Sequence, residues 1–166
     1  MFTFEKTAGD KQTQLESMVK QLKYLIEGEK DWLANLANAA ALLYHSLDEV
    51  NWAGFYLMKQ GELVLGPFNG KPACIRIPVG KGVCGAAVKE EKTMLVKDVH
   101  AFPGHIACDA ATRSEIVIPL KVDGQIIGVL DIDSPVEARF DESDRTALEQ
   151  CAELLCQGCN WSGLLS

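Results

Sequence analysis

Residues 114–135 read SEIVIPLKVDGQIIGVLDIDSP, and this stretch decides the fold. Two apolar runs rich in β-branched residues flank Asp123-Gly124, the strongest short-range signal for a β-hairpin. The pattern predicts strands over 114–121 and 125–132. Alternation along the second strand sets Leu130 and Ile132 on one side and Ile127 and Val129 on the other, so both faces are covered near its middle. Asp131 and Asp133 fall on the Ile127 and Val129 side, and Glu115 opens the first strand. Acids at the end of a strand covered on both faces are costly unless they are paired or bound to a ligand. A strict two-residue turn pairs Val122 with Gln125 and Glu115 with Ile132, which turns Glu115 away from the two aspartates. All three acids share one face only if a bulge interrupts the pairing or Glu115 lies beyond the regular pairing.

Outward from the hairpin, the remaining elements fall into place. Leu15, Met18, Val19, Leu22, Leu25 and Ile26 keep a 3.6-residue period, which predicts a helix over 11–27 that stops at Gly28. Asp31 caps a second helix with Leu33, Leu36, Ala37, Ala40, Leu43 and Leu47 turned inward. Residues 51–58 read as a strand with Trp52, Gly54, Tyr56 and Met58 on one side and Ala53, Phe55 and Leu57 on the other. Short strands are expected over 62–65, 74–78 and 93–96, with a small helix over 83–89. Residues 98–113 have no period, and a loop of this length commonly carries function. Asp141 caps a last helix, whose positive end suits Glu142 and Asp144. Two helices, a run of mostly antiparallel strands and a final helix make an α+β architecture, with helices on one sheet face and a loop-rich site on the other.

The chain has 166 residues, with 16 Lys and Arg against 23 Asp and Glu, a net charge of −7. That balance speaks against nucleic-acid and anionic-membrane partners, which select clustered cations. The start, MFTFEKTAGDKQTQ, lacks the features of a signal peptide, and no run of about 18 apolar residues is present to span a membrane. The expected location is the cytoplasm, where structural disulfides are uncommon and a disulfide is usually catalytic. The six cysteines then divide by position. Leu148, Cys151, Leu155 and Cys159 share one helix face, so Cys151, Cys156 and Cys159 are expected to pack in the core. Cys74, Cys84 and Cys108 sit among glycines, prolines and histidines, where chemistry usually resides.

Two further patterns compete for a function. Gly80-Lys81-Gly82-Val83-Cys84-Gly85 is a formal G-x-G-x-x-G, but the unit around it is too short for a dinucleotide fold and no second crossover helix follows. It reads instead as a tight turn into a helix N-terminus, a position that lowers the pKa of a nearby thiol and here points to Cys84. His100, His105, Cys108 and Asp109, with Cys84 nearby, form a candidate metal set whose spacing fits no standard zinc site.

The stretches NWAGFYL (51–57), LGPFNGKPACIRIPVGKGVCG (65–85), VKDVHAFPGHIACDAATRSEIVIPL (96–120) and GVLDIDSP (128–135) resemble the GAF-domain free methionine-(R)-sulfoxide reductases. The resemblance runs over nearly the whole chain and implies a single GAF domain over 1–166. It implies reduction of free L-methionine (R)-S-oxide through an enzyme disulfide recycled by thioredoxin, with no cofactor, and a homodimer for which the N-terminal helix is a candidate interface. The family's three motif cysteines correspond to Cys74, Cys84 and Cys108. In the expected mechanism Cys108 attacks the sulfoxide sulfur, and Glu115 or Asp133 serves the leaving oxygen. Asp131 holds the substrate ammonium, and Trp52 and Tyr56 wall the thioether end. Cys74, ahead of Cys84, then closes a disulfide with Cys108. The rival functions are a GAF module that senses a small ligand, and a Cys/His metal-binding protein.

Overall fold

The protein is described by a computed structural model covering residues 1–106 and 108–165. In chain order the elements are α1 (Lys11–Leu25), α2 (Trp32–Ser46), β1 (Trp52–Lys59), β2 (Glu62–Gly70), β3 (Arg76–Pro78), α3 (Gly82–Glu90) and β4 (Met94–Val96). A 3₁₀ turn (Val99–Ala101), β5 (Ser114–Val122), β6 (Gln125–Ser134), α4 (Glu142–Gly158) and α5 (Ser162–Leu165) follow. The strands form one sheet in the order β3-β2-β1-β6-β5-β4, and each neighbouring pair is antiparallel. The α+β expectation therefore holds, with β2 running further and β3 starting later than the sequence pattern indicates. α5 has no counterpart among the expected elements.

Three aspartates start the long helices as caps, because each carboxylate accepts from a backbone N–H that the helix leaves unpaired. Asp10 accepts from the Thr13 N–H, Asp31 from the Ala34 N–H, and Asp141 from those of Ser143 and Asp144. Asp144 completes a capping box and is fully buried, held by Lys11 Nζ at 2.8 Å and Arg139 Nη1 at 3.4 Å. This ties α1 to the start of α4 at a charge that burial alone would penalise.

The sheet separates two apolar layers. On one face α1, α2 and α4 cover Ala53, Phe55, Leu57, Ile116, Ile118, Leu130 and Ile132. On the other face α3 and the loop before β5 cover Trp52, Tyr56, Leu63, Ile77, Val117 and Val129. The alternation read along β1 is thus observed. On α2 the stripe lies elsewhere than expected: Leu33 is exposed and so is Ala37, while Ala39 and Leu42 are buried beside Leu36, Ala40 and Leu43. Leu33 and Ala37 stand four residues apart on the outer face of α2, while Asn35 and Leu36 between them are buried, so the apolar stripe is rotated from the expected one.

The bulge demanded by the three acids is present in the β5–β6 hairpin. Val122 pairs with Gln125 and Lys121 with Ile126, but Leu120 pairs with Gly128, so Ile127 is the extra residue. From there Val117 faces Asp131 and Glu115 faces Asp133. The same insertion corrects the expected facing of Ile127, which turns to the helix layer with Leu130 and not toward Asp131. A second register shift sits between Gly54 and Tyr56 on β1, where Tyr56 pairs with Leu65 and Gly54 with Phe68.

Gly128, next to the bulge, has no room for a side chain: a Cβ there would lie 2.3 Å from the Tyr56 carbonyl oxygen. Gly128→Ala must displace β1 from β6, and overpacking of this kind costs about 1–3 kcal/mol. Urea unfolding checks this, with a lowered midpoint and an unchanged slope as the expected result.

Candidate active site

Four segments converge on the loop-covered face. β1 supplies Trp52 and Tyr56, which point away from the helices because they alternate with Ala53 and Phe55. The Trp52 ring stacks on Phe68 at 5.2 Å and on Tyr56 at 5.8 Å. Both polar tips are anchored: Trp52 Nε1 donates to the Lys71 carbonyl at 3.2 Å and Tyr56 Oη to the Cys74 carbonyl at 2.8 Å. These bonds satisfy the buried donors and pin the 71–74 segment against the sheet. β5 and β6 supply Glu115, Asp131 and Asp133 as the floor. α3 supplies Cys84, and the loop between β4 and β5 supplies Cys108 as a lip.

Cys74 and Cys108 are joined by a disulfide, with Cα atoms 5.5 Å apart. Cys84 is free and buried below it. Its Sγ donates toward Glu115 Oε2 at 3.9 Å, and donor atoms of Cys84, Glu115 and Asp131 all lie within 4.8 Å of one another. A cleft of about 550 Å³, open mouth included, is lined by the two aromatics, the three acids, Cys84 and Cys108, and also by Ile77 and Ile106. The structure thus gathers every residue that the sequence singled out for the sulfoxide chemistry around one cleft, with Cys74 bonded to its lip.

Electrostatics set the protonation of the floor. Glu115 and Asp131 are buried, one oxygen each of Asp131 and Asp133 is buried without a hydrogen-bond partner, and no Lys, Arg or His lies within ion-pair distance of the three among the described residues. All three carboxyls are pushed well above the usual carboxylate range. Burial is the leading cause in each, followed by the Asp131 charge for Glu115, the Asp133 charge for Asp131 and the Glu115 charge for Asp133. Burial and the neighbouring charges both favour the protonated forms, so ionisation of one acid opposes that of the next. Tyr56 is also raised, by burial and then by Asp131.

Cys84 overturns one expectation. It does sit in the first turn of α3, after Gly82 at φ 63°. Its thiol is nevertheless pushed well above its ordinary value, by burial first and then by the fields of Asp131, Glu115 and Asp133. Desolvation and neighbouring acids outweigh a helix end whose influence fades within one turn. The proposed metal set is also not assembled. His100 is exposed, its ring packs edge-on against His105 at 6.4 Å, and Cys108 is engaged by Cys74. Among the described residues the donors that do converge are Cys84, Glu115 and Asp131.

The C-terminal cysteines lie on the opposite, helical side of the sheet. Burial pushes Cys151 up to about 12 and Cys156 up to about 11, and Cys159 accepts from Asn35 Nδ2 at 3.4 Å. Thiols raised this far are poor nucleophiles, which fits core packing.

Asn51 escaped the reading of the sequence. Its Nδ2 donates to Asp109 Oδ2 at 3.1 Å and Thr112 Oγ1 at 3.2 Å, clasping the loop directly after Cys108 to the start of β1. A polar residue opening an otherwise buried strand was the available signal, but nothing in the sequence showed its partners.

A GAF domain model matches residues 31–158. The chain is 61% identical over 157 residues to Protein YtsP of Bacillus subtilis, across 93% of this chain and 96% of that protein. It is 60% identical over 126 residues to the free methionine-R-sulfoxide reductase of Escherichia coli, across 76% of each. Its fold superposes with a TM-score of 0.92 on the X-ray structure of the Neisseria meningitidis free methionine-R-sulfoxide reductase in complex with its substrate, at 46% identity and 95% of both chains.

The raised carboxyls tie stability to pH. A folded pKa above the unfolded value means that the stabilising proton is fully bound below the unfolded pKa, 4.5 for Glu115, and that stability is lost as pH rises toward the folded value. Glu115→Gln removes one of these groups without changing shape. The expected result in urea unfolding at pH 5 and pH 8 is a smaller loss of stability between the two pH values for Glu115→Gln than for the unaltered chain.

Proposed function

The chain belongs to the free methionine-R-sulfoxide reductases, a family built on the GAF domain, and we propose how its own residues carry the reduction of free L-methionine (R)-S-oxide. The observation that carries the proposal is the Cys74–Cys108 pair at the lip of a cleft whose floor is three neighbouring carboxyls, each raised by burial above the usual carboxylate range. The methyl-thioether end of the substrate packs against the Trp52 and Tyr56 rings. Its ammonium is held by Asp131, ionised in that complex. The sulfoxide oxygen turns toward Glu115 and Asp133, which face each other across β5 and β6.

The Cys108 thiolate attacks the sulfoxide sulfur while Glu115 or Asp133 gives a proton to the oxygen, which stabilises the charge that develops there. The transient bond between the Cys108 and substrate sulfurs and the S–O bond then both break as the oxygen passes to Cys108, which is left as a sulfenic acid. The substrate sulfur gains the two electrons that the Cys108 sulfur loses, and the proton lost by Cys108 restores the acid. Cys74 then attacks the sulfenic acid, water leaves, and a disulfide is formed. Cys84 stays a thiol, since burial and its acidic neighbours oppose its thiolate. A dithiol protein of the thioredoxin class returns Cys74 and Cys108 to thiols. Four free cysteines beside this one disulfide fit a reducing compartment such as the cytoplasm.

Single-turnover experiments on the reduced protein test these roles. With the R epimer of the free amino acid, Cys74→Ser is expected to release one equivalent of methionine and stop at a trappable sulfenic acid on Cys108. Cys108→Ser is expected to release none; a full equivalent would remove Cys108 as the nucleophile. Glu115→Gln or Asp133→Asn, whichever is the proton donor, is expected to lower the rate of methionine release about 10²–10⁴-fold.

A further inference from the structure

The segment from Gly70 to Lys89 runs against the charge of the chain. It carries Lys71, Arg76, Lys81 and Lys89 and no acidic residue, in a chain of net charge −7. All four side chains are exposed. Arg76 is paired with Glu62 at 2.6 Å, whereas Lys71, Lys81 and Lys89 have no ion-pair partner among the described residues. The Lys89 stem lies over Gly80, the residue before Lys81. Within the same segment two aliphatic side chains stand in solvent: Ile75 is 66% exposed and Val79 40% exposed. They bracket β3, the terminal strand of the sheet, which has no strand on its outer side among the described residues. Ile75 directly follows Cys74, half of the reducible disulfide.

Exposed aliphatic residues in one segment with exposed lysines, continuous in chain with a disulfide that must be reduced in every cycle, describe a surface for a protein partner. We propose that Ile75, Val79, Lys81 and Lys89 form the landing surface for the dithiol protein that reduces Cys74–Cys108, a partner whose dithiol is rimmed by apolar and acidic residues. This rests on the thioredoxin-class recycling given above and adds where the partner lands and which sulfur it attacks. The partner thiolate attacks Cys74 Sγ, the sulfur next to the strip. The Cys74–Cys108 bond breaks and Cys108 leaves as a thiolate that takes up a proton. The second thiol of the partner then resolves the mixed disulfide and frees Cys74. The partner is oxidised by two electrons and this chain is reduced by two. The cations steer the acidic partner and stabilise its incoming thiolate.

The test uses the full chain, free methionine (R)-sulfoxide and two reductants: thioredoxin with its reductase and NADPH, and the uncharged small dithiol dithiothreitol. The variants are Ile75→Glu, Val79→Glu and the pair Lys81→Glu with Lys89→Glu, none of which lines the cleft. Each is expected to raise the KM for thioredoxin roughly tenfold and to leave the rate with dithiothreitol within about twofold. Raising salt from about 20 to about 200 mM is expected to weaken the thioredoxin reaction alone, because screening acts on exposed charges. A thioredoxin lacking its second thiol is expected to be trapped on Cys74, as peptide mass spectrometry reads. Unchanged thioredoxin kinetics in the variants, an equal loss with both reductants, or trapping on Cys108 overturns the landing surface while leaving the recycling intact. No turnover of the unaltered chain with thioredoxin, when dithiothreitol supports it, overturns the recycling as well.

Discussion

Three carboxyls of the sheet and a thiol of α3 are crowded together with no cation against them among the described residues, and the rest of the structure is arranged around that constraint. In water Glu115, Asp131 and Asp133 would ionise and repel. Here burial and mutual repulsion hold protons on the group instead. The arrangement lowers stability as pH rises, and it is retained at the bottom of the cleft that meets the Cys74–Cys108 pair. Reduction of a sulfoxide consumes a proton at oxygen while a thiol supplies electrons at sulfur. In the proposed mechanism, acids that favour their protonated forms beside the Cys74–Cys108 pair meet both needs at one place.

The constraint depends on backbone features far from the acids themselves. One inserted residue, Ile127, sets the register that faces Glu115 to Asp133, although the two acids stand well away from the Asp123-Gly124 turn along both strands. Without it Glu115 would point into the helical core. Gly128 lets β1 approach closely beside the bulge, and Tyr56 on β1 then reaches the Cys74 carbonyl. Asn51, at the start of the same strand, holds the loop after Cys108. The segments that carry the two partners of the disulfide are thus fastened to one strand, at its start and at its middle, which limits the approach geometries they explore.

Much of this was legible before any coordinates. The hairpin, the alternation of β1 and the caps at Asp31 and Asp141 follow from local patterns, and local patterns are what a sequence displays. The division of the cysteines into a cleft set and a core set also follows, from their neighbours. The need for a bulge was readable as a conflict between a two-residue turn and three acids on one face, but its position at Ile127 was not, because a bulge is set by packing on both sheet faces. The reversed shift at Cys84 was missed for a related reason: the helix N-terminus is visible in sequence, whereas the acids above it arrive from strands about 30 and 47 residues away. The same limit hid the clasp of Asn51 and left Leu33 facing the wrong way.

The central claim is that the acid cluster keeps at least one proton near neutral pH. Infrared spectroscopy of the reduced protein measures this directly, through the carbonyl stretch of a protonated carboxyl at pH 7 and its assignment by Glu115→Gln, Asp131→Asn and Asp133→Asn. A protonated carboxyl band that persists at pH 7 and is lost or shifted in these variants is the expected result. Full ionisation of all three groups by pH 6, with no such band, would contradict the claim.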